Sequence, residues 1–231
     1  MTGAIAILAV PGWSFDGSFW GAVRQRMPER RWMCADADVA TVLSGTGEPV
    51  VAVGHSAGVM RLLRQMPREE ARVAGSAAGA AGRWRGLVAI NGFARFTAGP
   101  GFPAGVPRRM LDRMMGRLPA DPEAVVADFR RRCGGEEGAA GPIDPDRLLA
   151  ELTMLRDDDL RREWWSAGVP RLSIEGGLDP IVGASHAREA LPGLGPDARA
   201  ILPEGGHLMP LQHADWVADR LRAFLSGLAA S

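Results

Sequence analysis

The apolar run Val50-Val51-Ala52-Val53 leads straight into Gly54-His55-Ser56-Ala57-Gly58, and a stretch with helical spacing (Met60, Leu62, Leu63, Met66) follows. A serine held between small residues where a strand meets a helix describes a very tight turn, whose flanking positions tolerate only small side chains and whose hydroxyl projects above the sheet edge. In a sequence with 30 glycines the five residues alone are a weak signal. The strand before them and the helix after them make it specific. The bland alternative is a glycine turn that merely joins strand to helix.

The rest of the chain suits a sheet built around that unit. Ala4–Val10, Leu87–Asn91, Arg171–Glu175 and Ala198–Leu202 are short apolar runs, as parallel strands covered on both faces require, and Arg31–Asp36 can add a short strand. Helical spacing marks Ser18–Met27 and a closing stretch over Ala214–Leu225. The alternation predicts an α/β fold with a mostly parallel central sheet and helices on both faces. At 231 residues the chain fits one large domain. Gly75–Gly82 is low-complexity Ala/Gly, read as a loop or a frayed helix end.

Between Phe93 and Trp165 the alternation stops. Helical stretches at Pro107–Leu118, Pro122–Cys133, Asp144–Leu155 and Asp157–Trp165 are separated by Pro/Gly breaks. A helical insertion after the serine turn reads as a lid over a site, which gives a core of residues 1–92 and 166–231 and a lid of 93–165.

Lys+Arg and Asp+Glu balance at 27 each, so no global field recruits nucleic acid or an anionic membrane. Cys34 and Cys133 match no zinc or redox spacing. There is no basic leader segment and no apolar run near the eighteen or so residues that span a bilayer. The expectation is a soluble cytoplasmic protein with reduced thiols, without a metal or organic cofactor, and without nucleic-acid or membrane partners.

A serine hydroxyl is a poor nucleophile near neutral pH and needs a base oriented by a third group. On this architecture the partners should follow in the order serine, acid, histidine, each in a loop after a strand. Asp179 follows the strand Arg171–Glu175, and His207 follows Ala198–Leu202. His207 would take the Ser56 proton while Asp179 fixes its tautomer. Glu175 and Glu204 are weaker acids for the role. Of the other histidines, His55 should point away from the nucleophile, and His186 and His213 fall on helices with a solvated or capping role. The oxyanion of a tetrahedral intermediate needs donors, expected from the backbone N–H groups of Ala57 and of Trp13, with Gly12 allowing close approach. The Trp13 side chain can also wall an acyl pocket.

These motifs in this order resemble the α/β-hydrolase superfamily over nearly the whole chain. Within it the chain resembles the pimeloyl-[acyl-carrier-protein] methyl ester esterases of biotin synthesis. The residues that carry this are Pro11-Gly12-Trp13-Ser14, Gly54–Gly58, Leu155-Arg156-Asp157-Asp158-Asp159-Leu160-Arg161, Gly177–Val182 and Gly205–Leu211. It departs from the pattern in three places. The leading hairpin strands look absent, Pro11 stands where the family has histidine, and the loop after the second strand has shrunk to Ala35-Asp36-Ala37-Asp38.

Phe93, Phe96, Phe102, Met110, Met114, Met115, Phe129 and Leu208 are the expected lining of an apolar acyl pocket. The insertion also concentrates Arg108, Arg109, Arg113 and Arg117, followed by Arg130, Arg131 and Arg132, a dock for an acidic carrier or simply a solvated face. The resemblance implies the dock, because such esterases hold acyl-carrier protein through arginines of the lid. The leading expectation is a serine carboxylesterase cleaving the methyl ester of a pimeloyl group on acyl-carrier protein. A short-chain esterase, thioesterase or C–C bond hydrolase with the same three residues is the second reading, and a non-catalytic ligand binder the third.

Overall fold

The computed structural model describes residues 5–36, 38–66, 83–135 and 143–230. Six strands, β1 (Ala6–Val10), β2 (Trp32–Cys34), β3 (Val50–His55), β4 (Trp84–Ile90), β5 (Arg171–Gly176) and β6 (Arg199–Leu202), form one sheet. Its order is β2-β1-β3-β4-β5-β6 and every neighbouring pair is parallel. β1 and β3 are buried at every position.

Side chains alternate across the sheet with period two and find a core on each face. Ile7, Ala9, Val51, Val53, Val88 and Ile90 point to one side, against Val23 of α1 (Gly21–Arg26) and Val217 and Leu221 of α10 (Ala214–Ala230). Ala6, Leu8, Val50, Ala52, Leu87 and Ala89 point to the other, against Val39 of α2 (Val39–Ser44) and Leu62 of α3 (Ala57–Gln65). The chain reverses direction of growth beside β1, so the loops leaving β1 and β3 open a crevice at their carboxyl ends.

Four helices lie between β4 and β5: α4 (Arg108–Arg117), α5 (Pro122–Arg132), α6 (Pro145–Asp157) and α7 (Arg161–Trp165). Asp121 and Asp144 cap α5 and α6, each accepting from a backbone N–H in the first turn, with proline at the first helical position. Leu111, Val125, Val126, Leu148, Leu152 and Leu155 of these helices join Trp13, Ala57, Met60, Phe93 and Phe96 in a third apolar cluster. The helical segment therefore packs onto the loops at the carboxyl ends of β1, β3 and β4.

The helix expected over Asp157–Trp165 is interrupted. Asp158 is extended (φ −81°, ψ 143°) and closes α6, and α7 starts at Arg161. The acids of the Leu155–Arg161 motif break the helix by fastening the segment to α3 and to the stretch that follows β4. Asp158 pairs with Arg64 of α3 at 2.7 Å, Asp159 pairs with Arg95 at 2.7 Å, and the Leu160 N–H donates to the Ala94 carbonyl at 2.8 Å.

Helix α2 was not anticipated, and α10 runs past the expected end at Leu225. The Gly75–Gly82 stretch lies outside the described residues. No helix among the described residues is long and apolar enough to cross a membrane.

Candidate active site

Ser56 occupies φ 51°, ψ −123°, a backbone conformation rarely open to residues with a side chain. The elbow around it leaves no room for Cβ atoms. One placed on Gly58 would stand 2.2 Å from the Val10 carbonyl oxygen, and one on Gly54 would stand 2.7 Å from the Val59 nitrogen. The two glycines thus let β1, β3 and α3 crowd together, and the crowding holds the strained serine in place. Ser56 is among the residues lining a cavity of about 840 Å³ between the sheet and the helical segment.

The structure brings Asp179 and His207 together. His207 Nδ1 lies 2.8 Å from Asp179 Oδ2, with both side chains almost wholly buried. Asp179 Oδ1 is held independently, accepting from the backbone N–H groups of Ile181 (2.7 Å) and Val182 (2.9 Å). An ionised carboxylate can only accept, so Nδ1 carries the proton and Nε2 presents its lone pair. That Nε2 is buried and has no hydrogen-bond partner. The imidazole stands next to the elbow, its ring centroid 4.9 Å from that of His55. Ser56 and His207 form no direct hydrogen bond; in sites of this kind the bond is often long and tightens in the complex with substrate.

His55 faces away from the cavity, buried against Phe19 (centroids 4.5 Å apart). Its Nε2–H donates to the His207 carbonyl at 2.9 Å, tying the elbow to the histidine loop. A second tie comes from Asn91, at the end of β4 with φ 44°. Its Nδ2 donates to the carbonyls of Gly206 (2.6 Å) and His207 (3.0 Å), and its Oδ1 accepts from the Gly176 N–H at 2.8 Å. One carboxamide thus fixes the start of the Asp179 loop against the His207 loop. Nothing in the sequence marked Asn91 except its place at a strand's carboxyl end.

The N–H groups of Trp13 and Ala57, the expected oxyanion donors, have no acceptor among the described residues. Gly12 lets the loop after β1 lie on the elbow, since a Cβ there would meet His55 Nδ1 at 2.9 Å and Ser56 Cβ at 3.1 Å. The buried Arg61 guanidinium ties this loop to the one after β2, donating to the carbonyls of Ala35 (3.1 Å) and Asp36 (2.6 Å) and, more distantly, Pro11 (3.5 Å). The Trp13 indole walls the cavity and donates to the Leu148 carbonyl at 3.0 Å, with Phe129 edge-on at 5.0 Å.

Phe93, Phe96, Met110, Met114 and Phe129 line the cavity. Phe102 and Leu208 do not. Phe102 is fully buried behind the wall, with the Arg95 and Arg161 guanidinium groups over its ring. Leu208 belongs to the core beneath the sheet, and Met115 is also off the cavity. Among the arginines, Arg109, Arg113 and Arg117 border the opening, together with Arg132. Arg108 is turned aside to Asp157, and Arg130 to the Ser14 carbonyl. Glu175 is engaged by Ser173 and Arg199.

His186 departs furthest from expectation. It sits on helix α8 (Ala184–Ala190) as predicted, but it is only 3% exposed and lies in the cavity wall among Phe93, Phe96 and Phe102. His213 joins α9 (Met209–Gln212) to α10, half-buried.

Burial pushes His55 well below the usual histidine value of 6.5 and lowers His186 as well. Both are neutral in the fold, whereas the unfolded chain protonates them once pH falls through about 6.5. Stability is therefore complete above that value and is lost on the way down to the folded-state values. Each histidine removes up to about 1.4 kcal/mol per pH unit. Glu151, raised by burial beside Arg61, works in the opposite sense. Urea unfolding at pH 7.5, 6.5 and 5.5 should show this decline, and H186F should flatten it; a slope unchanged in the variant would contradict the assignment.

No family model matches the chain. It is 30% identical over 161 residues to the pimeloyl-[acyl-carrier protein] methyl ester esterase of Xanthomonas axonopodis pv. citri, a match covering 62% of each chain. It is 32% identical over 137 residues to the dihydrolipoyllysine-residue acetyltransferase component of the acetoin cleaving system of Pseudomonas putida, covering 54% of this chain and 33% of that one. The chain thus spans between a third and 62% of the length of these curated relatives. The solved esterase of Exiguobacterium antarcticum superposes with a TM-score of 0.77 at 15% identity, covering 98% of this chain and 93% of that one. The sheet order, the strained serine between β3 and α3 and this superposition together show that the chain has the α/β-hydrolase fold, and over part of its length its sequence resembles the pimeloyl-[acyl-carrier protein] methyl ester esterases.

Proposed function

We propose that this protein is a serine carboxylesterase that cleaves the methyl ester of a pimeloyl group carried on acyl-carrier protein. The observation that carries the esterase reading is the conjunction at Ser56. A strained serine opens onto a largely apolar cavity beside a buried His207–Asp179 pair whose Nε2 is unpartnered. Ser56 Oγ attacks the ester carbonyl while His207 Nε2 takes its proton. The N–H groups of Trp13 and Ala57 receive the oxyanion, and the proton returns to the departing methanol. Water, activated by the same imidazole, then frees the acyl group from Ser56. The three residues, the two donors and the helical segment 93–165, acting as a lid, form one device.

Two further supports narrow the substrate. One is the partial likeness to relatives named for that methyl ester. The other is the basic border of the cavity. Arg109, Arg113 and Arg132 have no ion-pair partner among the described residues, whereas Arg117 is held by Asp128. Unpaired guanidinium groups around an apolar opening suit an acidic carrier that delivers an acyl chain.

Complementation of a bacterial strain that lacks its pimeloyl ester esterase and requires biotin tests the reading: the parent should restore growth. Failure to do so, with ester hydrolysis intact in vitro, would leave a general carboxylesterase. In purified assays R109A/R113A/R132A should lose at least tenfold more kcat/KM on the carrier-bound ester than on p-nitrophenyl butyrate. The difference should shrink at high salt. Equal losses on both substrates would remove carrier docking.

A further inference from the structure

The cavity wall holds a hydrogen-bond acceptor that the hydrolytic chemistry does not use. His186 Nε2 lies 3.0 Å from the Arg95 carbonyl oxygen. A carbonyl only accepts, so Nε2 carries the hydrogen and Nδ1 is left as a bare lone pair. The tautomer is fixed by the backbone rather than by the surroundings of the cavity. Among the described residues Nδ1 has no hydrogen-bond partner, and it is not sealed from solvent as the unpartnered His55 Nδ1 and His207 Nε2 are. His186 is itself one of the residues that line the cavity.

The surroundings sharpen its chemistry. Phe93, Phe96 and Phe102 enclose the ring at centroid distances of 5.6, 5.7 and 5.4 Å. In that apolar cage the imidazole stays neutral, because burial holds its protonation down. Packing alone would be served by another phenylalanine. A neutral acceptor among phenylalanines discriminates between ligands, because a ligand that desolvates it without supplying a donor leaves it unpaired.

We propose that His186 Nδ1 is a specificity subsite that takes a hydrogen bond from an O–H or N–H donor on the acyl group or on the arm that carries it. The inference rests on the reading of this cavity as the acyl site, and it goes beyond that reading by assigning the substrate a donor within the cavity. A hydroxyl on the acyl chain and an amide N–H of a pantetheine arm offer the same chemistry.

Two matched substrate pairs test it and separate the sources. The first pairs methyl 6-hydroxyhexanoate with methyl 6-methoxyhexanoate, which keeps the oxygen and loses the donor. The second pairs the pantetheine thioester of monomethyl pimelate with its S-ethyl thioester, which lacks the amides. In the parent protein kcat/KM should favour the donor-bearing member of at least one pair by fivefold or more. A preference in the first pair assigns the donor to the acyl chain, and a preference in the second assigns it to the arm. In H186F the ratio should fall to about one.

Turnover of every ester with no preference in either pair overturns the subsite and leaves the esterase reading standing. A preference that persists undiminished in H186F also overturns it. Turnover of none of the esters overturns the esterase reading, and the subsite with it. H186L serves as a second variant should H186F fail to fold, with the same fall of the ratio to about one expected.

Discussion

Replacing Ser56 with alanine should lower kcat for p-nitrophenyl butyrate by roughly ten-thousand-fold while changing KM little, because the hydroxyl contributes to bond making and hardly to binding. Labelling by a fluorophosphonate, read by mass spectrometry of the peptide containing residues 50–66, should vanish in the same variant. Fold stability should not change, since alanine keeps the Cβ and with it the strained φ of 51°. Ser56→Gly separates the two effects. Glycine adopts that conformation without steric cost, so this variant should be equally inactive yet more stable by about 1–2 kcal/mol in urea unfolding. Such a gain would show that strain is stored at the serine for the sake of its exposure. Residual activity within tenfold of the parent in both variants would dismiss Ser56 as nucleophile.

Much of this arrangement is legible in the sequence because it is local. The apolar runs that become β1, β3 and β4 owe their form to burial on both faces, which short Val-, Ile- and Ala-rich stretches report directly. The elbow is legible for a similar reason, since its glycines are demanded by atoms only a few residues away or on the adjoining strand. Asp179 and His207 are found by their place after strands.

What escapes is settled by contacts distant in the chain. Asn91 meets partners 85, 115 and 116 residues away. His186 acquires its meaning from Arg95, which lies 91 residues before it, and from the nearby phenylalanines. Whether an apolar side chain faces the cavity or the core depends on the same long-range packing. Phe96 reaches the cavity while Phe102, six positions on, is sealed behind it, and Leu208 turns into the core although it adjoins His207. Charge pairing has the same character. Arg108 adjoins Arg109 in sequence, yet it is claimed by Asp157 across 49 residues, and Arg132 takes a place at the opening instead. The break at Asp158 follows too, since helix periodicity continues through a motif whose acids are drawn off to Arg64 and Arg95.

The acid proposed for the site offers a stricter test than the proposed nucleophile, because Asp179→Asn changes neither size nor burial. The two carboxylate oxygens have separate tasks. Oδ1 accepts from the Ile181 and Val182 N–H groups, and Oδ2 receives the His207 Nδ1 proton. An asparagine has one acceptor to serve both sides. Turning its NH2 toward the two backbone donors sets hydrogens against hydrogens, so the oxygen stays with the turn and the NH2 faces His207. Nδ1 must then give up its proton and accept, which moves the hydrogen to Nε2, the nitrogen that should be bare to take the Ser56 proton. The imidazole remains in place in the wrong tautomer. We expect kcat near neutral pH to fall by about a thousand- to ten-thousand-fold with KM little altered. The 15N spectrum of His207 should show the proton exchanged between the two nitrogens. If D179N kept most of its activity with the parental tautomer, Asp179 would be a turn-forming residue alone, and the base at His207 would need another source of orientation.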